Sequence, residues 1–181
     1  ALPEMWASSF PGPEADLERL TQTSEEAVRA LAQLAGELGL LVCGSSFGAT
    51  DHEACGSDES KPANRWQLFD GARCLASYDK VHLFSPTAEH ESFSAGCEPP
   101  PVVETRAGRV GGLVCYDLRF PQLTRRLFDA HAQRVCLSAQ WPVVRAAHFK
   151  ALVIGLAVTN QCFVLAANRT GSEAVGRRAL V

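Results

Sequence analysis

The alternation of apolar and polar residues predicts a helix followed by a buried strand near the start of the chain. A capping-box pattern, Thr23 followed by Glu26, predicts the start of a helix over "TSEEAVRALAQLAGELG" (23–39), and Gly39 predicts its end. The predicted apolar face of this helix consists of Val28, Leu31, Leu34, Ala35 and Leu38. The run "LLVCGSSF" (40–47) fits a buried strand, and the polar segment 48–63 predicts a loop.

Two β-hairpins are predicted in the middle of the chain. Asp70-Gly71 is a favoured two-residue turn inside "NRWQLFDGARCLASYDK" (64–80), between two runs of strand-forming residues. A second hairpin is predicted around Ala107-Gly108 in "PVVETRAGRVGGLVC", which ends at Cys115. The segment 81–101 between the hairpins holds four prolines and little periodicity, so it predicts an irregular loop.

The C-terminal third returns to alternating helices and strands. Its pattern predicts a helix in "QLTRRLFDAHA", a strand in "RVCLSA", a helix in "HFKALVIGLAVTN" and a strand in "QCFVLAANRTG". Helices and strands alternate near both ends of the chain, with the hairpins between them, and this order favours a layered α/β fold with a mixed sheet. Since no repeat or linker is visible, residues 1–181 are interpreted as a single domain. Neither "ALPEMW" nor "GRRALV" carries a capping signal, so we expect this domain to be truncated at both ends.

Composition and charge exclude several classes of function. The chain is 46% hydrophobic and 20% charged with a net charge of −3, so no basic field attracts nucleic acid or anionic lipid. The longest apolar stretches, such as "ALVIGLAV" (151–158), are too short to span a bilayer, and we expect no membrane partner. The seven cysteines include no C-x-x-C pair and no zinc-binding pattern with histidine. They are interpreted as reduced thiols of a cytoplasmic protein, of which one or two are chemically active.

The stretch "GGLVCYDLRFP" (111–121) places Cys115 where a predicted strand meets polar residues. A thiol becomes a good nucleophile when a base takes its proton and a positive charge favours the anion. Two glycines before the cysteine and Tyr116-Asp117 after it predict a sharp turn, which presents the thiol and the next backbone N–H toward one point. The alternative is a buried strand cysteine, which the polar residues that follow make less favourable.

Two further stretches supply a candidate base and a candidate positive charge. Glu4 in "LPEMW" has apolar neighbours, and such surroundings raise the pKa of a carboxyl toward the range of a general base and acid. An exposed loop glutamate is the alternative, which this pentapeptide alone favours. Lys80 in "YDKVHLF" is a candidate cation for a thiolate or an oxyanion. A hairpin-edge lysine that extends into water is an equally good interpretation of Lys80.

Together, "LPEMW", "YDKVHLF" and "GGLVCYDLRFP" resemble the motifs of the nitrilase superfamily of carbon–nitrogen hydrolases. The pairs "WP" (141–142) and "NQ" (160–161) and the run "NRTG" (168–171) extend the resemblance through almost the whole chain. The subgroup that it resembles most is the ω-amidase type, which hydrolyses 2-oxoglutaramate, on the strength of "LPEMW", Glu89-His90 and "CYDLRFP". The resemblance implies a layered α-β-β-α sandwich with mixed β-sheets, an amidase with a small-molecule amide substrate, no metal or organic cofactor, and a homodimer.

The resemblance also implies roles for individual residues. Glu4, Lys80 and Cys115 match the family's Glu–Lys–Cys triad, in which the glutamate takes the thiol proton and the thiolate attacks the amide carbonyl. Lys80 and the backbone N–H of Tyr116 would hold the oxyanion. Glu89, between the lysine and cysteine motifs, would orient Lys80 or the substrate.

Two aromatic residues near the motifs, Phe10 and Trp141, are candidates for lining the substrate pocket, with core packing as the alternative. The chain departs from the family where relatives carry an arginine and a glutamate before "NQ", because Leu156 and Thr159 occupy those places. We expect this departure to affect local stability or subunit packing more than chemistry. The triad leaves N-carbamoyl amidohydrolase and nitrilase activities open. A redox or non-catalytic role for Cys115 and a plain α/β binding domain are further alternatives.

Overall fold

The computed structural model describes residues 1–12, 14–50, 61–171, 173–175 and 178–180. Its helices are α1 (Leu17–Glu37), α2 (Glu89–Ser92), α3 (Pro121–Asp129) and α4 (Ala146–Asn160). Its strands are β1 (Leu41–Gly48), β2 (Ala63–Asp70), β3 (Arg73–Asp79), β4 (Val102–Thr105), β5 (Gly108–Val114), β6 (Arg134–Ala139), β7 (Phe163–Asn168), β8 (Glu173–Val175) and β9 (Arg178–Leu180). Short 3₁₀ turns cover Ser85–Thr87, Cys115–Arg119 and Val143–Arg145.

Two sheets lie face to face at the centre of the fold. β1, β2 and β3 form an antiparallel sheet in that order. β4, β5, β6 and β7 form a mixed sheet in which β4 and β5 are antiparallel and the remaining pairs are parallel. α1 packs against β1 and β2, α4 packs against β7 and α3, and contacts of β2 with β5 and of β1 with β6 join the sheets. The predicted layered α-β-β-α fold with mixed β-sheets is confirmed.

The first helix starts earlier than the sequence pattern predicted. α1 begins at Leu17, and the carboxylate of the preceding Asp16 accepts a hydrogen bond from the backbone N–H of Arg19 at 3.0 Å. This side-chain cap satisfies one of the N–H groups that a helix leaves unpaired at its start. The predicted start at Thr23 is therefore wrong, because an equally good cap, Asp16, lies about two turns upstream and the helix uses it.

The predicted apolar face of α1 is only partly correct. Leu34 and Leu38 are exposed, whereas Ser24, Ala32 and Ala35 are the buried residues of the helix. Small side chains permit close approach of a helix to a sheet, so the stripe that packs against β1 and β2 is set by size as well as by hydrophobicity.

Both predicted hairpins form, each with its turn one residue away from the predicted position. In the first hairpin Asp70 pairs with Arg73, and Gly71 adopts a positive φ of 59° that suits glycine. In the second hairpin Thr105 pairs with Gly108. The turn therefore consists of the two residues between each pair, and in the first hairpin the pairing register shifts between Leu68 and Phe69.

Two glycines allow β5 to approach its neighbours closely on both faces. Successive residues of a strand point to opposite faces, so Gly111 faces α3 and Gly112 faces the other sheet. A Cβ atom on Gly111 would lie 2.6 Å from Leu127, and one on Gly112 would lie 2.4 Å from the ring of Trp66. Both neighbours are fully buried, which leaves their side chains little room to move away. The spacing between the two sheets therefore depends on Gly112.

Cysteine chemistry differs from the sequence interpretation at one place. Five described cysteines are free thiols, whereas Cys97 is disulfide-bonded. The interpretation of the cysteines as reduced thiols is therefore wrong for Cys97, which lies in the segment 81–101, where no spacing motif marks a disulfide.

The segment Val143–Asn160 is helical over 18 residues with a mean hydropathy of 1.3, which by length and composition alone is enough to cross a membrane. The sequence analysis predicted no membrane-spanning segment because it considered only unbroken apolar runs. It therefore did not consider a helical segment that also contains Arg145 and Lys150. The core helix of a soluble protein, which is mostly buried, meets the same criterion, but only 6% of this segment is buried. Here α4 packs against α3 and β7.

We expect Gly112→Ala to lower the free energy of unfolding by about 1–3 kcal/mol, because the added methyl group collides with the buried Trp66 ring. Gly155→Ala is the matched control, since a Cβ there meets nothing within 4 Å and replacing a helical glycine stabilises by about 0.5–1 kcal/mol. Urea denaturation measures both changes. Equal stabilities of the two variants would contradict the close approach of the sheets at Gly112.

Candidate active site

The segment that carries Glu4 lies across the ends of two strands, one from each sheet. The backbone N–H of Leu2 donates to the carbonyl of Cys43 in β1 at 2.7 Å, and the hydroxyl of Ser138 in β6 donates to the carbonyl of Leu2 at 2.9 Å. Glu4 itself is 1% exposed. The interpretation of Glu4 as an exposed loop residue is therefore wrong.

Lys80 follows β3 directly and extends into the interior. Its backbone N–H donates to the carbonyl of Asn64 in β2 at 2.9 Å, which continues the strand pairing up to this residue. The ammonium donates to Glu4 Oε1 at 2.8 Å and to both carboxylate oxygens of Glu89, at 2.9 and 2.8 Å. Since Lys80 is 1% exposed, the alternative of an edge lysine that extends into water is also wrong.

Glu89 reaches this cluster because the predicted irregular loop contains one turn of helix, α2. Ala88 precedes that helix in the left-handed conformation, with φ of 56°. The Glu89 carboxylate accepts the backbone N–H of Phe84 at 2.6 Å as well as the Lys80 ammonium. Glu89 therefore lies where the sequence analysis expected a residue that orients Lys80.

Cys115 lies at the point where β5 changes into a 3₁₀ turn. Its φ of 41° is in the left-handed region, which few residues other than glycine adopt and which stores strain. The thiol is buried, within hydrogen-bonding reach of the Glu4 carboxylate and of the backbone N–H of Gln140. The sharp turn predicted at this cysteine is present, and the three segments bring Glu4, Lys80 and Cys115 together.

Burial dominates the electrostatics of this cluster. It raises the pKa of Glu4, an effect that the Lys80 ammonium opposes and the Glu89 carboxylate reinforces. It also raises the pKa of the Cys115 thiol well above its usual value, with a further contribution from Glu4. Burial alone would lower the pKa of Lys80, but the two carboxylates outweigh it and the pKa is raised. The resting state therefore contains a neutral thiol beside a charged ammonium.

Two neighbours of Glu4 were missed by the sequence analysis. The side-chain amide of Asn64 donates to Glu4 Oε1 at 2.9 Å and to Glu89 Oε1 at 3.2 Å. The backbone N–H of Gln140, after β6, donates to Glu4 Oε2 at 2.9 Å. A signal for Asn64 does exist, because strand alternation puts this polar residue on the same face as the buried Trp66.

Asp117 joins the turn of the cysteine to the segment that follows the lysine. Its fully buried carboxylate accepts the backbone N–H groups of Val81 at 3.3 Å and His82 at 2.8 Å and the hydroxyl of Tyr78 at 3.3 Å. The Nδ1 atom of His82 lies 2.8 Å from the same carboxylate, and its ring stacks on Phe120. This contact fixes the position of Lys80 relative to Cys115, and neither motif by itself reveals it.

A narrow cavity of about 20 Å³ lies beside the cysteine. Its walls come from the turn after β5 and from the segment after β6, and the lining residues are Phe84, Cys115, Tyr116, Arg119, Gln140, Trp141, Pro142 and Arg145. The guanidinium of Arg119 lies 4.8 Å from the centre of the Trp141 ring, and that of Arg145 lies 5.5 Å from the centre of the Phe84 ring. Two positive charges therefore border the space next to the thiol.

The remaining residues singled out in the sequence lie in different surroundings. Trp141 and Tyr116 line the cavity beside Cys115, whereas Phe10 packs in a separate cluster against Phe93, with ring centres 6.0 Å apart. The assignment of Phe10 to the substrate pocket stays a prediction. Within the described part of the chain, no group of three histidine, cysteine or acidic side chains is arranged to hold a metal ion.

The two positions that depart from the family pattern lie on α4. Leu156 is 5% exposed and belongs to the main core cluster. Thr159 is exposed, and its hydroxyl donates to the carbonyl of Gly155 within the same helix. Neither residue lines the cavity beside Cys115.

Comparison with known proteins places this chain in a family. The profile of the family described as "Carbon-nitrogen hydrolase" matches residues 1–180. The omega-amidase YafV of Escherichia coli (strain K12) is 36% identical over 175 residues, which are 97% of this chain and 63% of that protein. The 2-oxoglutaramate amidase of Bacillus subtilis (strain 168) is 33% identical over 177 residues, which cover 95% of this chain and 63% of that protein. The chain therefore spans about 63% of the length of these relatives.

Solved structures agree with the sequence comparison. The CN-hydrolase superfamily protein XC1258 from Xanthomonas campestris, solved with an arsenic adduct in its active site, has a TM-score of 0.79 and 32% identity over 94% of this chain and 62% of that chain. A mutant amidase from Nesterenkonia sp. AN1 carries the acetamide moiety of fluoroacetamide on its active-site cysteine. Its TM-score is 0.79 at 25% identity, over 94% of this chain and 62% of that chain. These matches confirm the family resemblance that the three motifs indicated.

We expect Asp117→Asn to lower the free energy of unfolding by about 1–3 kcal/mol, because one of several buried donors loses its charged acceptor. Asp129→Asn is the matched control, since this carboxylate pairs with Arg125 on the exposed surface of α3 and such pairs contribute at most about 1 kcal/mol. Chemical denaturation of both variants provides the measurement. If the two variants lose the same stability, Asp117 does not fix the segment after Lys80 as described.

Proposed function

The chain belongs to the carbon–nitrogen hydrolase family, and we propose that it hydrolyses the terminal amide of a small dicarboxylate, such as 2-oxoglutaramate, and releases ammonia. The observation that carries the proposal is the convergence of Glu4, Lys80 and Cys115 in one buried cluster. The names of the relatives, an omega-amidase and a 2-oxoglutaramate amidase, support the same substrate class.

In the proposed first step, the Glu4 carboxylate takes the proton of the Cys115 thiol while the sulfur attacks the amide carbon. The raised pKa of Glu4 makes it a stronger base, which a thiol of raised pKa requires. The carbonyl π electrons move onto oxygen, where the Lys80 ammonium and the backbone N–H of Tyr116 stabilise the negative charge. The product of this step is a tetrahedral intermediate bound through sulfur.

In the second step, protonated Glu4 gives its proton to the departing nitrogen, the carbon–nitrogen bond breaks, and ammonia leaves a thioester on Cys115. Glu4 then takes a proton from water, whose oxygen attacks the thioester carbon. Collapse of this second intermediate breaks the carbon–sulfur bond and returns the proton to the sulfur. The products are the carboxylic acid and the original enzyme.

Stabilising the oxyanion requires Lys80 to change partners. The ammonium has three N–H donors, and its three short contacts are with Glu4 Oε1 and with both oxygens of Glu89. Of these three contacts, one of the two to Glu89 is most readily exchanged for the carbonyl oxygen, because the other Glu89 oxygen keeps the ion pair intact. Glu89 is therefore proposed to hold Lys80 in place while releasing one donor to the reacting carbonyl.

The two arginines beside the cavity support a substrate with a carboxylate. Guanidinium groups bind carboxylates through charge-assisted hydrogen bonds, and Arg119 and Arg145 border the space next to Cys115. The cavity holds roughly one water molecule, so binding a dicarboxylate amide requires a wall to move, and we propose that the Arg145 guanidinium leaves the Phe84 ring. A carboxylate compensates that movement by pairing with the arginine. N-carbamoyl amino acids also carry a carboxylate, which keeps N-carbamoyl amidohydrolase as the alternative activity.

The homodimer and the cytoplasmic location implied earlier stay proposals. Exposed apolar side chains of Ile154 and Val158 on α4 and of Phe163 on β7 support the dimer, because a second copy would remove them from water. Five free thiols among the described cysteines support a reducing compartment, whereas the disulfide at Cys97 argues against it.

We expect Lys80→Ala to reduce kcat for ammonia release by about 10²–10³-fold, since it removes one oxyanion donor. Cys115→Ala removes the nucleophile and should abolish turnover, and Cys74→Ala, at an exposed free thiol, is the matched control. Mass spectrometry of protein quenched during turnover should detect an acyl group on Cys115. Wild-type rates in Lys80→Ala would remove Lys80 from the mechanism, and turnover without a Cys115 adduct would contradict the thioester.

The carboxylate requirement is tested with succinamate and butyramide, which have the same chain length and differ by a carboxylate in place of a methyl group. We expect kcat/KM for succinamate to be higher by about tenfold or more, from charge-assisted hydrogen bonds. Arg145→Gln should remove most of this preference, and Arg125→Gln on the exposed face of α3 should keep it. Preference for butyramide would contradict the dicarboxylate proposal, and activity on nitriles or carbamoyl compounds alone would exclude the amidase.

A further inference from the structure

The buried cluster contains more acidic groups than basic ones. Glu4, Glu89 and Lys80 are each at most 3% exposed, and the two carboxylates share the single ammonium. Two carboxylates this close repel each other in an environment of low polarity, and that repulsion raises the pKa of Glu4. The backbone N–H groups of Gln140 and Phe84 each reach only one of the two carboxylates, so a further donor is needed to bridge the pair and keep both ionised next to Cys115.

Asn64 supplies that donor. Its side-chain nitrogen carries two hydrogens, which point to Glu4 Oε1 at 2.9 Å and to Glu89 Oε1 at 3.2 Å. The opposite orientation of the amide would direct its oxygen against both carboxylates and is excluded by repulsion. The two acidic groups therefore fix the amide, and the amide in turn fixes the distance between them.

The oxygen atom of the same amide shows that Asn64 does not contribute to the stability of the fold alone. Asn64 is fully buried, and among the described residues its Oδ1 atom has no hydrogen-bond partner. A buried acceptor without a partner destabilises a fold, whereas an apolar residue of similar size avoids that loss. Asn64 lies on the same buried face of β2 as Trp66 and Leu68.

We propose that Asn64 is a positioning residue of the amidase site, which holds Glu4 ionised and aimed at Cys115 by bridging it to Glu89. This inference rests on the proposed function, because it assigns Asn64 to the base of that reaction. Asn64 acts through Glu4 and does not line the cavity beside the cysteine.

The expected pH dependence follows from the sign of this interaction. Hydrogen bonds to an ionised carboxylate lower its pKa, so removing the amide raises the pKa of Glu4 further. Glu4 is then protonated, and unable to act as a base, up to a higher pH. The other titratable or charged groups around Glu4 and its segment are Lys80, Glu89, Cys115, Tyr78 and Arg169. None of them is altered in the variants below, so a shift of the acidic limb reports the loss of the amide.

The experiment measures the pH profile of kcat/KM for succinamate and, separately, of the rate at which iodoacetamide alkylates Cys115. In Asn64→Leu we expect the acidic limb of both profiles to move to higher pH by about one unit. KM at high pH should change less than about twofold, because Asn64 does not line the cavity beside Cys115. Asn64→Ala removes the same donor without adding a charge or bulk, and it should shift the limb in the same direction.

Thr105→Val is the matched control, because Thr105 caps the turn between β4 and β5 at the end of β5 opposite Cys115. It should lower stability and leave both profiles in place. If Asn64→Leu does not fold, the smaller Asn64→Ala variant decides the question. Unchanged limbs in the folded variants would overturn the proposal, as would an equal shift in Thr105→Val. If the wild-type protein turns over no amide, the proposed function fails, whereas the alkylation profile still decides the role of Asn64.

Discussion

The structure depends on a single ammonium group that is buried between two carboxylates. Removing one charged group from water costs several kcal/mol, and Lys80 is acceptable in the interior only because Glu4 and Glu89 both pair with it. The Lys80 ammonium lies within 2.9 Å of three carboxylate oxygens, so its donors are satisfied. Segments that are far apart in sequence must therefore meet at one point, and the fold can be understood as the arrangement that brings them there.

The two-sheet sandwich provides this meeting point through its strand ends. The segment of Glu4 is hydrogen-bonded to β1 on one side and to β6 on the other, so it bridges the sheets. Lys80 continues β3 of the first sheet, and Cys115 ends β5 of the second. Gly112 permits the close approach of the sheets on which these distances depend. Asp117 then connects the cysteine turn to the residues after Lys80 and helps to stabilise the unfavourable backbone conformation of Cys115.

The sequence was sufficient to predict the features that depend on short-range patterns. Glycine turns between runs of strand-forming residues predicted both hairpins, and three short motifs singled out Glu4, Lys80 and Cys115, which the fold brings together. Features decided by contacts between distant segments were missed. Asn64 was missed because its significance comes from two carboxylates that lie elsewhere in the sequence. The start of α1 was wrong for a local reason, because two capping signals compete there. The helical turn of Glu89 is stabilised by its contact with Lys80, a contact that no local periodicity encodes.

The same electrostatics explain how a buried thiol can be both inert and ready to react. With two carboxylates and one ammonium nearby, a thiolate at Cys115 would add negative charge to an environment that is already negative, and burial and Glu4 together raise the pKa of this thiol. The proton therefore stays on sulfur at rest, which limits oxidation of the thiol. In the proposed reaction a bound amide changes the balance, because the charge that leaves sulfur passes to the carbonyl oxygen and the Glu4 proton then goes to the departing nitrogen. In the proposed mechanism, negative charge thus forms on the cysteine only when a carbonyl is present to receive it.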